Sequence, residues 1–474
     1  MIDCIFDLKL EVNIMFYQTK KNHFAKPLVL GFMLLSSIQV SKAQLSLSGE
    51  LRPRTEYRHG VKSLALPEQD PAVFTSQRSR LNIEYQSKSY LMKLVFQDVR
   101  VWGNQSQLVG NQDFGNSIHE AWAKVFLDDK LALKFGRQEI AYDNQRIFGS
   151  VAWAQQGRSH DALVLEYKAN PKLNIHLGGA FNQDSESLES TLYTTPNNYK
   201  AMQYIWANNR FSKRFDASFL FLNNGKQASR NTGTKINYKD NYSQTAGTYL
   251  SYKYKDIKAN ASFYYQFGKD INVFNYWADP DIKAALFAAE LSYQATEKLS
   301  LTAGYEYQSG QSQTEEVSYY DSRHAFTPFY GTNHKFNGVM DYFYVGNHIG
   351  SVGLQDIYIK AKHQRTETSW IGLDAHLFSA AADVLDRNEL LTSGTRKAMD
   401  KYLGLELDLN MAWKLADDVQ LQLGYSRMFG SETLAVLKHA TKANSQGGVD
   451  GITYELSHWA WIMISVKPTF LKKN

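Results

Sequence analysis

Tyr402-Leu403-Gly404-Leu405-Glu406-Leu407-Asp408-Leu409-Asn410-Met411 alternates, residue by residue, between an apolar side chain and a polar or small one. Successive side chains of a β-strand point to opposite faces, so this stretch predicts a strand with one apolar and one polar face. The same period recurs through the chain. In 45–57, Leu45, Leu47 and Leu51 alternate with Ser46, Ser48, Glu50, Arg52, Arg54 and Glu56. In 76–85, Leu81, Ile83 and Tyr85 alternate with Arg78, Arg80, Asn82 and Glu84. In 258–267, Ala259, Ala261, Phe263, Tyr265 and Phe267 alternate with Lys258, Asn260, Ser262, Tyr264 and Gln266.

Extending this reading gives eighteen candidate strands, near 45–58, 74–86, 89–101, 117–127, 130–140, 159–168, 171–181, 202–211, 213–223, 245–254, 257–267, 284–293, 298–308, 353–362, 369–377, 401–411, 418–428 and 457–467. Most are near the length that crosses a membrane at a tilt. Their connections alternate. Short ones include Gln86-Ser87-Lys88, Asp128-Asp129, Asn170, Ser212 and Lys255-Asp256; long ones include 102–116, 141–158, 182–201, 224–244, 309–352 and 429–456. Short turns on one side and long loops on the other predict an all-β fold, a transmembrane antiparallel barrel of an outer membrane, with periplasmic turns and extracellular loops. A soluble β-sandwich would show no such asymmetry. An even strand count puts both ends of the barrel on the periplasmic side.

Composition agrees. Tyr 29, Phe 26 and Trp 9 make the chain 14% aromatic, Pro is only 9, and mean hydropathy is −0.42. Strands that are apolar on one face, with aromatic girdles, give this balance. The longest apolar run, 27–40, is too short for a spanning helix. Lys20, Lys21, His23 and Lys26 precede it and Ser41-Lys42-Ala43 follows, which predicts a signal peptide over 1–43, cut before Gln44. The signal fits a start at Met15, with 1–14 an upstream extension. Residues 44–474 then form one barrel domain. Cys4 is the only cysteine, so the expected mature chain has none, which excludes thiolate catalysis and cysteine metal sites. Removing residues 1–43 takes five Lys/Arg from 52 and three Asp/Glu from 47, leaving a net charge of +3. Any charge selectivity must come from where the charges sit.

In a membrane barrel the apolar face meets lipid and the polar face lines the lumen. The lumen is then expected to hold Arg52, Arg54, Arg78, Arg80, Lys258, Glu306, Lys360, Lys362, Asp374, Glu406 and Asp408. Eighteen strands enclose more space than wall side chains fill. Loop 309–352, rich in aromatics, is the candidate constriction or lid. Parity breaks near Gly136, where Arg137 would share a face with Phe135, and a bulge at that glycine would carry Arg137 inward.

Two segments carry more specific information. One runs Phe135-Gly136-Arg137-Gln138-Glu139-Ile140-Ala141-Tyr142, then Arg146-Ile147-Phe148-Gly149, Trp153 and Gly157-Arg158-Ser159-His160-Asp161-Ala162. The other runs from Pro328-Phe329-Tyr330-Gly331-Thr332-Asn333-His334-Lys335 to Asp341-Tyr342-Phe343, with Gly353-Leu354-Gln355-Asp356 opening the next strand. Together they resemble the bacterial alginate-export family, eighteen-stranded outer-membrane channels for anionic polysaccharide. The segment from Pro328 resembles in particular the branch of that family found in Bacteroidota. The resemblance spans about Leu45 to about Phe470. It implies a basic lumen, with Arg52, Arg54, Arg78, Arg80, Arg137, Arg146, Arg158, Lys360 and Arg365 as the substrate path. Tyr330, His334, Lys335, Asp341 and Tyr342 mark the constriction loop. Arginine pairs with carboxylates through two parallel bonds, and many weak pairs in a wet pore allow both entry and release.

Enzyme signatures are missing: no nucleophile elbow, zinc-protease motif, phosphate loop or dinucleotide fingerprint occurs. His160 and Asp161 are adjacent, so they point to opposite faces of a strand. His334, His348 and Asp341 share a loop and read better as exposed loop residues than as a metal site. The expectation is a monomeric channel, lipid around it, with an anionic polysaccharide or oligosaccharide as cargo and periplasmic transport or synthesis components as partners. Nucleic acid, metal and cofactor play no part. The competing readings are a closed, glycan-binding surface barrel and a general porin of different selectivity.

Overall fold

The period-two stretches pair edge to edge in chain order and close on themselves. The computed structural model describes residues 44–108, 116–231, 236–271, 279–443, 448–452 and 454–473. The expected signal segment, 1–43, lies outside them. The wall consists of β1 (Gln44–His59), β2 (Ala72–Gln86), β3 (Tyr90–Val101), β4 (Asn116–Phe126), β5 (Leu131–Gln138) and β6 (His160–Asn170). It continues through β7 (Leu173–Phe181), β8 (Ala201–Arg210), β9 (Phe215–Asn231), β10 (Ile236–Tyr254), β11 (Ile257–Gly268) and β12 (Ala284–Gln294). It ends with β13 (Leu299–Gln308), β14 (Leu354–Thr366), β15 (Ser369–Ser379), β16 (Tyr402–Ala416), β17 (Val419–Gly430) and β18 (Ser457–Val466). A last segment, Thr469–Lys473, prolongs β18 beyond Lys467-Pro468, where proline has no N–H for the ladder. β18 pairs antiparallel with β1 from Leu51↔Val466 to His59↔His458, and Thr469–Lys473 pairs with Leu45–Ser48, so the barrel has eighteen strands and no free edge.

Turns of two to four residues join β2–β3, β4–β5, β6–β7, β8–β9, β10–β11, β12–β13, β14–β15 and β16–β17, all at one end. The long loops stand at the other. One boundary differs from expectation. Residues 224–244 are expected to form a loop, yet β9 runs to Asn231 and β10 begins at Ile236, paired continuously. Their polar sequence carries no one-faced apolar signal, because this hairpin rises past the apolar belt, and backbone pairing holds it without one.

The outward face is apolar: Leu51, Phe96, Phe135, Leu163, Ile205, Phe263, Leu291, Ile359, Leu373, Leu407 and Ile462 are all exposed. Leu407 is exposed while its neighbours Glu406 and Asp408 are fully buried. The inward face is less uniform than the rule of polar lumens implies. Met202, Tyr204, Leu220, Leu222, Tyr264 and Leu286 point inward and form one buried cluster with Ile147, Phe148 and Phe326 from two loops. Another cluster, with Leu64, Met340, Tyr342, Phe343, Tyr344, Phe378, Leu434 and Trp459, knits loops and wall together on the loop side.

Candidate functional site

Two loops fold into the lumen and meet there. Loop 139–159 joins β5 to β6, and loop 309–353 joins β13 to β14. Gly149 N donates to Tyr330 O at 2.9 Å and Thr332 N to Gln145 O at 2.9 Å. The ring of Trp153 stacks on that of His334, with centroids 4.7 Å apart and planes 10° from parallel. His334 Nδ1 lies 2.6 Å from Asp341 Oδ1.

The barrel grips the two loops by opposite charges. On β1 and β2, Arg52 donates to Ala152 O (2.8 Å), Trp153 O and Ala154 O (both 3.2 Å), and to Gln155 Oε1. Arg54 donates to Trp153 O (2.9 Å) and Glu56 Oε1 (2.8 Å), with its guanidinium 4.3 Å over the Trp153 ring. Arg78 holds Glu50 at 2.8 and 3.0 Å. Across the lumen, wall carboxylates accept from loop 309–353. Met340 N donates to Glu406 Oε1 at 2.8 Å, and Asn337 Nδ2 to Glu306 Oε1 (2.9 Å) and Asp356 Oδ2 (3.2 Å). Arg146, almost wholly buried, brings loop 139–159 to the same acids through Glu306 and to Asn337 Oδ1. Buried charges are tolerable only when paired and hydrogen-bonded; here the loops supply partners to Arg52 and Glu306, and the wall itself pairs Arg54 with Glu56 and Arg78 with Glu50.

The candidate path residues therefore divide. Arg52, Arg54, Arg78 and Arg146 are buried and bonded to the protein, although Arg54 still borders the space on the loop side. Arg80 donates to Gln97 Oε1 at 2.8 Å, and Arg158 donates to Gly331 O at 3.0 Å. Arg137 is on the outer surface: β5 keeps register with β4 and β6 through Gly136, and Arg137 pairs at 2.9 Å with exposed Asp161. The expected bulge at Gly136 is absent. Glycine adopts φ +110° there without it, and the register shift lies one strand pair away, where β3 meets β4 between Val95 and Phe96. Arg365 is exposed at the irregular end of β14 beside a periplasmic turn. Lys360 faces the lumen, 3.4 Å from Asp374.

In the constriction loop, Tyr330 is bonded to Asn224, and Tyr342 OH donates to Gly60 O (2.6 Å) and Ser63 O (3.0 Å). Lys335 is exposed in the lumen and donates to Asn144 O at 3.1 Å. Enclosure by the surrounding lumen lowers its pKa, opposed by Glu290 and helped by Lys258 and Lys360. His348 is not an exposed loop residue: it is buried, 3.0 Å from Gly353 O, and its pKa falls to about 3. Among the described residues no group of three acidic, histidine or cysteine side chains could hold a metal.

The loops leave space on both sides. A vestibule of about 1020 Å³ opens on the loop side, lined by Arg58, Lys62, Arg158, Tyr199, Lys226 and Asp341 among others. A chamber of about 460 Å³ lies nearer the turns, lined by Lys335, Lys360, Lys362, Trp370 and Asp374. A cavity of about 440 Å³, which also borders Lys335 and Lys360, carries Lys258. Trp153 and His334 line both vestibule and chamber, so their stacked pair stands at the divide. Trp370 is one of the lining residues that sequence reading missed. Its parity with Gly372 and Asp374 was the available signal.

No curated protein matches the chain. Solved structures share its fold at low identity. Acinetobacter baumannii OccAB4 is 11% identical with a TM-score of 0.57, over 91% of this chain and 99% of that one. A. baumannii OccAB1 is 12% identical with a TM-score of 0.55, over 92% and 100%. Pseudomonas aeruginosa OpdK, solved with vanillate, is 10% identical with a TM-score of 0.53, over 90% and 99%. The family model for alginate export matches residues 44–447, nearly the whole described barrel. The chain belongs to the alginate-export family and is an outer-membrane channel.

Proposed function

We propose that the channel passes an anionic oligosaccharide or polysaccharide by passive diffusion, and that lysines below the constriction, rather than the buried arginines, supply the selectivity. The observation that carries this reading is the state of those lysines. Lys258, Lys335 and Lys362 are exposed in the lumen and, among the described residues, hold no carboxylate within ion-pair distance. The acids beside them are engaged: Glu290 with Asn260 and Tyr358, Asp356 with His376 and Asn337, Glu306 with Arg146. A mobile ammonium in a wet chamber binds a passing carboxylate weakly enough to release it. That OpdK was solved with vanillate, a carboxylate, is in keeping with a carboxylate cargo.

Purified protein in a planar bilayer tests this. Open pores should prefer chloride over potassium, and added polyuronate should lower the current. Cation preference would sink the lysine path and leave the barrel intact. A silent bilayer would favour the closed, glycan-holding barrel.

A further inference from the structure

We propose that Trp370 is the platform of a saccharide subsite on the periplasmic side of the constriction, which takes one acidic pyranose ring. The proposal rests on the reading that the channel carries acidic saccharides, and it names the residue that recognises the ring itself. β15 opens Ser369-Trp370-Ile371-Gly372-Leu373-Asp374. Leu373 is exposed toward lipid, so Trp370, Gly372 and Asp374 share the lumen face. The aromatic girdles of membrane barrels sit on the outer face, which gives no account of a tryptophan inside.

The indole lies along the wall beside Gly372: a Cβ there would stand 3.4 Å from Trp370 Cζ3 and 3.9 Å from Cε3, ordinary contact distances. Polar groups surround it. Lys362 Nζ lies 4.2 Å from the ring centroid, and Lys362 is Gly372's partner on β14. Asn410 is its partner on β16, Gln422 of β17 lies beyond, and Lys360 with Asp374 sits one step toward the constriction. A half-buried indole in a watery chamber leaves apolar area unsatisfied. A pyranose has an apolar C–H face and a rim of hydroxyls. A flat ring with amides and charges around it matches both parts. A carboxylate on that sugar would draw Lys362 off the ring. The exchange replaces an exposed cation–π contact with a charge-assisted hydrogen bond, the stronger of the two.

The test is current block in planar bilayers, with trigalacturonate added on the turn side. The wild-type channel should show interruptions that neutral maltotriose produces only at much higher concentration. Trp370→Ala should raise the half-blocking concentration about tenfold, the loss of one aromatic contact, and Trp370→Phe should restore most of it. The ordinary shift of a folded barrel on an unheated gel checks that each variant is assembled. Block of Trp370→Ala at the wild-type concentration overturns the subsite, as does maltotriose acting as well as trigalacturonate. A channel that prefers chloride yet ignores trigalacturonate removes the subsite and spares the lysine path. One without chloride preference removes both.

Discussion

The indole of Trp153 is held between two partners: His334 stacks against it at 4.7 Å, and the Arg54 guanidinium lies over it at 4.3 Å. Both rings of the stacked pair border the vestibule and the lower chamber. A pore conducts according to its narrowest section, so this pair should set the conductance. Trp153→Ala should raise single-channel conductance by roughly a factor of two while leaving charge preference in place. An unchanged conductance would place the constriction elsewhere.

Arginines that brace and lysines that select should separate under substitution. Arg54→Gln removes one of the two arginine partners of Glu56, whose side chain is fully buried; Arg58 (2.8 Å) and Trp459 Nε1 (3.0 Å) remain. Losing one buried charge-assisted bond to that carboxylate should cost roughly 2 kcal/mol in a urea titration of the barrel in lipid vesicles. Lys335→Gln with Lys362→Gln should cost less than about 1 kcal/mol, since both side chains are exposed, and should lower chloride preference by roughly half. If Arg54→Gln lowered selectivity without lowering stability, the two roles would have to be exchanged.

Two glycines of loop 309–353 test how tightly the acid wall grips it. Gly338 (φ +77°) and Gly346 (φ +86°) both use backbone space that side chains avoid. A Cβ at 338 would lie 2.5 Å from the Glu406 carboxylate, whereas one at 346 meets nothing within 4 Å. Gly346→Ala should therefore cost only the conformational penalty, about 1 kcal/mol. Gly338→Ala should cost that and also push the loop off Glu406, breaking its bond to Met340 N. Trypsin digestion reads the difference: Gly338→Ala should expose loop 309–353 to cleavage and Gly346→Ala should not.

The wall was legible because lipid enforces one rule at every outward position: Leu407 is exposed and Glu406 and Asp408 are buried, as the alternation in 402–411 requires. The lumen obeys no such rule. Leu220 and Leu222 point inward because loop 139–159 covers them, and nothing local to 215–231 announces a loop so distant in the chain. The buried arginines misled for the same reason. Arg52 and Arg54 do face inward, as their parity says, but their partners are carbonyls of residues 152–154, and a carbonyl leaves no mark in sequence. Arg137 misled differently: an arginine beside Phe135 on the outer face is tolerable at the loop end of β5, where Asp161 answers it.

Lys438 offers a titratable hold on the constriction loop. It follows the short helix Glu432–Leu437, is bonded to Tyr342 O and donates to Asn347 O at 3.2 Å. Burial lowers its pKa from the usual lysine value to about 7. His348 beside it stays neutral across this range, its own pKa being about 3. The sign follows from proton counting. Between about pH 7 and the ordinary lysine pKa, a released Lys438 binds a proton that the packed one does not, so raising pH favours the packed state. Below about pH 7 both forms are charged and the packed state carries the full cost of a buried ammonium. Thermal unfolding in detergent should thus move to higher temperature from about pH 6.5 to about pH 9, with flattening above the lysine range. Lys438→Met cannot titrate, so its curve should lose that part of the slope. It should also be more stable than wild type at about pH 6.5, provided its methyl end fills the site. Equal slopes in the two proteins would mean that Lys438 stays protonated in place, held by its two carbonyls.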